Sequence, residues 1–327
     1  MNNTFPLTMN TSTKTSHPIV SLSLNPAIDL TYEITSLEHD KKSRATSTHY
    51  DPGGTGINVG RALEKLNTHS HTCCIIAGKM GDFLEGMLTQ ELKNATTLKV
   101  GGETRINTTI IQHSPPFQYE VNASGPTIPP IQLENFIEQF LLLCGKGIGI
   151  LTGSLPPETP IDTYQKINIA LQKQGGTAII DAPVPVLKAT ITSQPFLIKP
   201  NHHELEILQN KTLSTIEEIA SEARYLTQQG PKYVCVSLAE KGAILTGPEN
   251  SYYCSSPKVK VNSTVGAGDS MVSGLAHAFS HNKPAEQALK LAVACGAATA
   301  TQPGTQLFTI KDVERLADLI TIQRLDI

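Results

Sequence analysis

The chain has 327 residues, enough for one large α/β domain with a sizeable core and room for a small appendage. Its 26 Lys and Arg against 29 Asp and Glu leave a net charge of −3, which excludes a global electrostatic attraction to nucleic acid or to an anionic membrane. Aromatic residues are 5% of the chain and Trp is absent, so a base-stacking platform is excluded as well, and any strong positive field must be local.

Residues 1–17 are polar and lack an apolar segment, so they read as a disordered tail rather than a secretory signal. Residues 19–24 read as a buried strand that Asn25-Pro26 ends. Residues 30–50 alternate weakly and carry many polar side chains, the pattern of short strands with one wet face. The Gly-rich turn DPGGTG then runs into an amphipathic helix at 57–67, followed by a strand at 71–78 and a helix at 82–94. Residues 97–123 again read as strands only. From 126 onward, helices at 131–143, 160–174 and 215–229 alternate with strands at 147–153, 177–182, 196–201 and 233–238. AILTG and SYYCSS follow as strands, and the last third is helical at 267–281, 284–301 and 310–320.

This alternation predicts a mostly parallel sheet with helices on both faces, built from 18–29, 51–96 and 124–327. The two strand-only intervals, 30–50 and 97–123, are expected to pair as a small separate β-sheet attached to one end of the large domain. No apolar stretch approaches the length needed to span a bilayer. The cysteines, Cys73, Cys74, Cys144, Cys235, Cys254 and Cys295, form no C-x-x-C pair. Cys73, Cys74, Cys144 and Cys235 lie in or beside apolar runs and read as small core residues, and the whole set suits a reducing, cytoplasmic setting.

The strongest chemical signal is the run Thr264-Val265-Gly266-Ala267-Gly268-Asp269, which opens an apolar helix. Backbone N–H groups at such a junction, with the helix dipole, suit an anion. A carboxylate there repels a phosphate but suits a general base that takes a proton from a hydroxyl, with Gly266, Ala267 and Gly268 holding the developing charge. The plainer reading makes Asp269 a helix cap and the glycines a turn. A P-loop needs Lys after the glycines and is excluded by Gly268-Asp269. A dinucleotide fingerprint fails because Val59 stands where the third glycine is required. Gly53 and Gly54 let the backbone approach a ligand closely, with Asn58 at the helix start. In the run Lys199-Pro200-Asn201-His202-His203-Glu204, the side chains of Asn201 and Glu204 are spaced to share a cleft and hold Mg²⁺ through water. His202 and His203 lack a third ligand for zinc and read as surface residues.

Taken together, LNPAID (24–29), PGGTGINVGRAL (52–63), TRIN (104–107), TGSLPP (152–157), KPNHHEL (199–205), VSLAEKGA (236–243) and STVGAGDSMVSG (263–274) resemble the motifs of ribokinase-like (PfkB-type) sugar kinases, in their phosphofructokinase branch. The resemblance runs from about residue 19 to the C-terminus. It implies a three-layer α/β/α domain with a lid over the sugar, and a homodimer formed through that lid. It implies ATP as phosphoryl donor, Mg²⁺, and a K⁺ site drawing on residues 295–305. By the same resemblance Asp29, Gly53, Gly54 and Asn58 bind the sugar, while Arg105, Lys42 and Arg44 bind its phosphate. Lys199, Ser237, Gly242, Thr264, Gly266 and Gly268 contact ATP, Asn201 and Glu204 organise Mg²⁺, and Asp269 is the base. Asp181 stands at a strand end where relatives also keep an Asp, with its role open.

The departures bear on substrate. Thr55 replaces the Lys usual in 1-phosphofructokinases and tagatose-6-phosphate kinases, and Pro52 precedes the glycines as in 6-phosphofructokinases; this favours fructose 6-phosphate. Against it, Glu120 replaces a basic lid residue, and EVNASGP (120–126) resembles 1-phosphofructokinases. Ala239 replaces a frequent Gly in the nucleotide loop. Phosphorylation of the 1-hydroxyl of fructose 6-phosphate is therefore the expected activity, with fructose 1-phosphate or tagatose 6-phosphate as alternative substrates. The resemblance to 6-phosphofructokinases also makes ATP a plausible allosteric inhibitor. A non-catalytic sugar-phosphate-binding regulator is the reading from a different class, but it would show a broken base or anion hole, and both are intact here.

Overall fold

The computed structural model describes residues 18–327, so the expected N-terminal tail lies outside the described residues. Its centre is a ten-stranded sheet. The strands are β1 (Ile19–Ser23), β4 (Ser70–Ala77), β5 (Ala95–Val100), β8 (Ile148–Thr152), β9 (Thr177–Asp181), β10 (Leu197–Ile198), β11 (Tyr233–Ser237), β12 (Ala243–Thr246), β13 (Ser251–Cys254) and β14 (Ile322–Leu325). They lie in the order β14-β13-β12-β11-β10-β9-β8-β1-β4-β5. The strands from β11 to β5 are parallel, and β12, β13 and β14 extend the sheet in antiparallel fashion.

Every residue of β1 and β8 is buried, as expected for parallel strands covered on both faces. One face is covered by α3 (Pro130–Cys144), α4 (Thr163–Lys173), α5 (Val184–Thr190), α6 (His202–Gln209) and α7 (Ile216–Gln229), with Phe136, Phe140, Tyr164 and Leu187 in its core. The other is covered by α1 (Thr55–Lys65), α2 (Gly78–Glu91), α8 (Ala267–Ser280), α9 (Ala285–Ala300) and α10 (Ile310–Ala317), around Leu63, Leu275, Leu289 and Phe308. From β1 the chain runs outward to β4 and β5, then returns to β8 on the opposite side. The carboxyl ends of β1 and β8 therefore flank a topological switch point, where α/β sheets open a binding crevice.

A separate four-stranded sheet stands over that edge in the order β3-β2-β6-β7, made of β2 (Ala27–Ile34), β3 (Ala45–Gly53), β6 (Arg105–His113) and β7 (Pro116–Val121). Its strands differ from the expected intervals in three ways. First, β2 begins at Ala27 and β3 runs to Gly53, so the strands of the small sheet reach past 30–50 at both ends. Second, residues 97–100 are in β5, paired with β4 in the large sheet. As an edge strand β5 has a wet side, and Thr97 and Lys99 give it the alternation of a lid strand. Third, Lys42 and Arg44 are not on a strand. They lie exposed in the loop before β3. Two further elements, α5 and β14, carry no clear periodic signal and were not expected.

By register, Asp29 pairs with Asp51 and Asn107, so these three share one face of the small sheet. Ile28 and Ile106 share the opposite face, where they pack on Leu84 and Leu88 of α2. No helix among the described residues is long and apolar enough to cross a membrane.

All six cysteines are unpaired and buried. Burial pushes the thiols of Cys73, Cys144, Cys235 and Cys254 up to about 12 and raises Cys74 and Cys295 further. An aromatic disulfide reagent at pH 8 should therefore titrate essentially no thiol in the folded protein and all six after denaturation. Rapid reaction of even one thiol in the native state would contradict this packing.

Candidate active site

Asp269 is the third residue of α8, in the first turn of that helix. Gly266 caps that helix with φ 76°, a left-handed conformation that glycine adopts without strain, and a Cβ there would lie 2.9 Å from Leu307 Cδ2. The Ala267 N–H donates to the Thr264 carbonyl at 3.3 Å, while Gly266, Gly268 and Asp269 keep N–H groups with no partner among the described residues. The expected anion hole of 266–268 is thus narrowed: Ala267 helps close the turn, and the free donors flank it.

The Asp269 carboxylate accepts a 2.9 Å hydrogen bond from Asn58 Nδ2 on α1. Burial pushes its pKa up to about 7, against the opposing effect of that bond. Asp181 and Asp29 add to the rise and Lys199 opposes it. A carboxylate tuned this way is half-charged near neutrality, where a general base works best.

Lys199 and Asp181 form a buried ion pair at 3.1 Å, at the carboxyl ends of β10 and β9. Burial acts to lower the Lys199 ammonium, and the Asp181 carboxylate more than offsets this and holds it up. A Cβ on Gly268 would lie 3.6 Å from Lys199 Nζ, so the cation sits beside the helix N-terminus. Asp181, whose role the sequence left open, is the group that keeps this cation in place.

On the lid side, Asp29 accepts a hydrogen bond from Asn107 Nδ2 at 3.1 Å. Burial raises the Asp29 pKa, and Asn107 and Arg105 act against it. Gly53 is required by this arrangement, since its Cβ would sit 2.3–2.4 Å from the Asp29 carboxyl atoms. Arg105 donates to the Asn25 carbonyl from Nε (3.1 Å) and Nη2 (2.6 Å), and to the Ala123 carbonyl from Nη1 (3.1 Å). One N–H on each of Nη1 and Nη2 remains for a ligand.

The remaining expected positions fall differently. Asn201 Oδ1 accepts from the Glu204 N–H at 2.8 Å, and Glu204 Oε2 accepts from the Asn201 N–H at 2.7 Å, a capping box at the start of α6. Asn201 therefore orients Glu204, which keeps Oε1 for a ligand. One carboxylate oxygen suits a Mg²⁺ that retains most of its waters. No group of three or more His, Cys, Asp or Glu suited to a metal occurs among the described residues. His202 bonds the Leu213 carbonyl at 2.8 Å, and His203 is exposed. Ser237 ends β11 beside Asn201, Gly242 closes the following turn, and Thr264 is exposed before α8. Ala239 opens that turn at φ 52°, a conformation costing a non-glycine residue roughly 1 kcal/mol. Cys295 and Gly296 lie inside α9, so their carbonyls are committed to the helix and a cation at 295–305 would depend on the loop after Ala300.

The site thus brings together Asp269, Asn58, Gly268, Lys199 and Asp181 on the large sheet, and Asp29, Gly53 and Arg105 beneath the lid. Lys42 and Arg44 stand apart from it, without an ion pair among the described residues. Two residues were missed. Asn107 lies two positions after Arg105 and therefore on the same strand face, a signal present in TRIN. Arg61 lies three after Asn58, on the same helix face, and is buried.

Known proteins resemble the chain over nearly its whole length. Residues 14–312 match the pfkB family carbohydrate kinases. The 1-phosphofructokinase of Bacillus subtilis is 34% identical over 307 residues, spanning 94% of this chain and 100% of that protein. The ATP-dependent 6-phosphofructokinase isozyme 2 of Escherichia coli is 30% identical over 300 residues, spanning 91% and 97%. The crystal structure of phosphofructokinase-2 from Escherichia coli in complex with potassium superposes with a TM-score of 0.88 at 30% identity, covering 92% of this chain and 98% of that one. The chain belongs to the pfkB family of carbohydrate kinases, and it is a phosphotransferase acting on a sugar hydroxyl.

Proposed function

We propose that the protein is a phosphofructokinase that transfers the γ-phosphoryl group of ATP to the 1-hydroxyl of fructose 6-phosphate. The observation that carries this reading is Asp269: a carboxylate raised to about 7, set among free N–H groups at a helix N-terminus and beside the Lys199 ammonium. Such a group takes the proton of an attacking hydroxyl while the donors around it hold the charge of the transferring phosphoryl group. Asp29, held by Asn107, orients sugar hydroxyls, and Arg105 offers its two remaining N–H groups to the sugar phosphate. ATP lies along Lys199, Ser237, Gly242 and Thr264. Glu204 holds Mg²⁺ through water, and the bound ion supplies charge neutralisation on the phosphates. A K⁺ near the loop after α9 and ATP inhibition belong to the same reading. The buried, unpaired thiols suit a reducing cytoplasmic setting.

Replacing Asp269 with Asn should lower kcat by about 10²–10⁴ and leave sugar-phosphate binding within a few fold. In the native enzyme, kcat should fall about tenfold per pH unit below about 7, because the base must be ionised to act. The sign for stability is opposite. The folded pKa lies above the unfolded value of 3.8, so stability present below pH 4 is lost as pH rises through about 7. The variant should therefore melt at a higher temperature than the native protein at pH 8, with the difference vanishing near pH 4. Wild-type turnover in the variant would refute the assignment of the base.

Two observations support fructose 1-phosphate as a second reading: Glu120 on β7, at a position where the resemblance to 6-phosphofructokinases implies a basic residue, and the 34% identity to a 1-phosphofructokinase. Comparison of kcat/KM for fructose 6-phosphate, fructose 1-phosphate and tagatose 6-phosphate decides between them. We expect fructose 6-phosphate to lead, and a tenfold preference for fructose 1-phosphate would overturn that choice. Sugar binding without ADP release would make the protein a binding module instead.

We further propose a homodimer formed through the small sheet. Phe117, Tyr119 and Val121 alternate along β7 onto one sheet face and are 57%, 43% and 63% exposed. Sedimentation should give a dimer at micromolar concentration that Tyr119→Lys weakens; a native monomer at that concentration would remove the proposal.

A further inference from the structure

Arg61 is buried at 5% exposure in α1, an unusual place for a cation in a helix face that otherwise carries core residues. Its contacts explain the burial. Nε is ion-paired with Glu91 at the end of α2. Nη1 donates to Asn58 Oδ1 at 3.2 Å, to the Pro52 carbonyl at 3.3 Å and to the Thr305 carbonyl at 3.5 Å. Asn58 in turn donates from Nδ2 to Asp269 Oδ2 at 2.9 Å. A continuous relay, Glu91–Arg61–Asn58–Asp269, therefore runs from α2 through α1 to the base on α8.

Each link has a fixed polarity. A guanidinium has only donors, so the Asn58 atom that faces it must be the carboxamide oxygen. The opposite edge of the same amide is then its NH₂, which faces Asp269. Without the cation the amide can rotate by half a turn and aim its oxygen at the carboxylate, where two acceptors repel. The relay also keeps the positive charge one residue away from the base. A guanidinium paired directly with Asp269 would hold the carboxylate well below neutrality and weaken it as a base; here Glu91 absorbs that charge, and only a neutral amide touches Asp269.

We propose that Arg61 is a positioning residue for phosphoryl transfer: it pins the Asn58 oxygen, so that the Asn58 nitrogen is always presented to the base. The inference rests on Asp269 being that base. Asp181, Lys199 and Asp29 also face Asp269, and none of them touches Asn58 or Arg61 through a hydrogen bond.

The test is the pH profile of kcat, from about pH 5.5 to 9.5, in the full chain with ATP and the sugar phosphate it turns over best. Arg61→Met should move the acidic limb to higher pH by about one unit, the size of one lost hydrogen bond to a charged group. The loss of kcat should then be roughly fivefold at pH 7 and small at pH 9. KM for both substrates should stay near the native values. In an Asn58→Ala background, where the limb is already displaced, adding Arg61→Met should move it no further. A role in packing alone predicts otherwise: a lower melting temperature with a native limb, or a loss of kcat equal at every pH. Either of those results, or an undiminished shift in the Asn58→Ala background, overturns the proposal. If Arg61→Met does not fold, Arg61→Lys decides. It keeps the charge but has one ammonium where the fork made separate contacts, so the limb should still be displaced, and a native limb overturns the proposal. An Asp269→Asn variant with native turnover would instead remove the reading of the base on which this inference stands.

Discussion

The hydrogen bond from the Asn58 amide to the Asp269 carboxylate joins two helices 211 residues apart in the chain. It is a neutral donor on a desolvated acid, and its modest strength matters. Burial favours the neutral acid, whereas a cation in the same place would favour the charged form and weaken it as a base. Burial with the Asp181 and Asp29 charges on one side, and the amide with the Lys199 ammonium on the other, leave the carboxyl at about 7. The orientation of α1 against α8, the Gly-rich turn before α1 and the buried Arg61 all serve the placement of that amide.

Charge is organised around this point in matched pairs. Lys199 is matched by Asp181 and Arg61 by Glu91, each cation buried against its own carboxylate. The buried Lys199–Asp181 pair adds little net stability, because desolvation offsets its attraction, and Glu91 meets Arg61 from the exposed end of α2. What the two pairs provide is position: Lys199 stands beside the N-terminus of α8, and Arg61 is hydrogen-bonded to Asn58. The near-neutral net charge of the chain accords with such local pairing. The lid follows a different rule. Its polar face carries Asp29, Asp51 and Asn107, and Arg105 is tied to the Asn25 carbonyl in the turn between β1 and β2.

Much of the fold was legible from local pattern. Runs such as IVSLS and IGILT are buried throughout because parallel strands are covered on both sides, and that signature needs no tertiary information. The placement of 97–100 was not legible. An edge strand of the large sheet and a lid strand both have one wet face, so Thr97 and Lys99 look the same in either setting. In the site, the GAGD run and the GGTGIN run were legible as Gly-rich turns that open helices, as α8 and α1 do. The three-residue spacing of Asn201 and Glu204 is also that of a capping box, and the helix start engages Asn201 Oδ1 and Glu204 Oε2 while leaving Glu204 Oε1 without a partner among the described residues.

The sequence by itself determined the α/β alternation, the small second sheet, four of the buried cysteines and the carboxylate next to a Gly-rich helix start. Each depends on side chains within a few residues of one another, where periodicity and turn chemistry speak directly. Only the tertiary structure decided the partners: Asn58 for Asp269, Asp181 for Lys199, Asn107 for Asp29 and Glu91 for Arg61. These contacts cross between helices and strands far apart in sequence. The pKa of a buried carboxyl, and hence its chemistry, is set by which groups the packed fold brings to it.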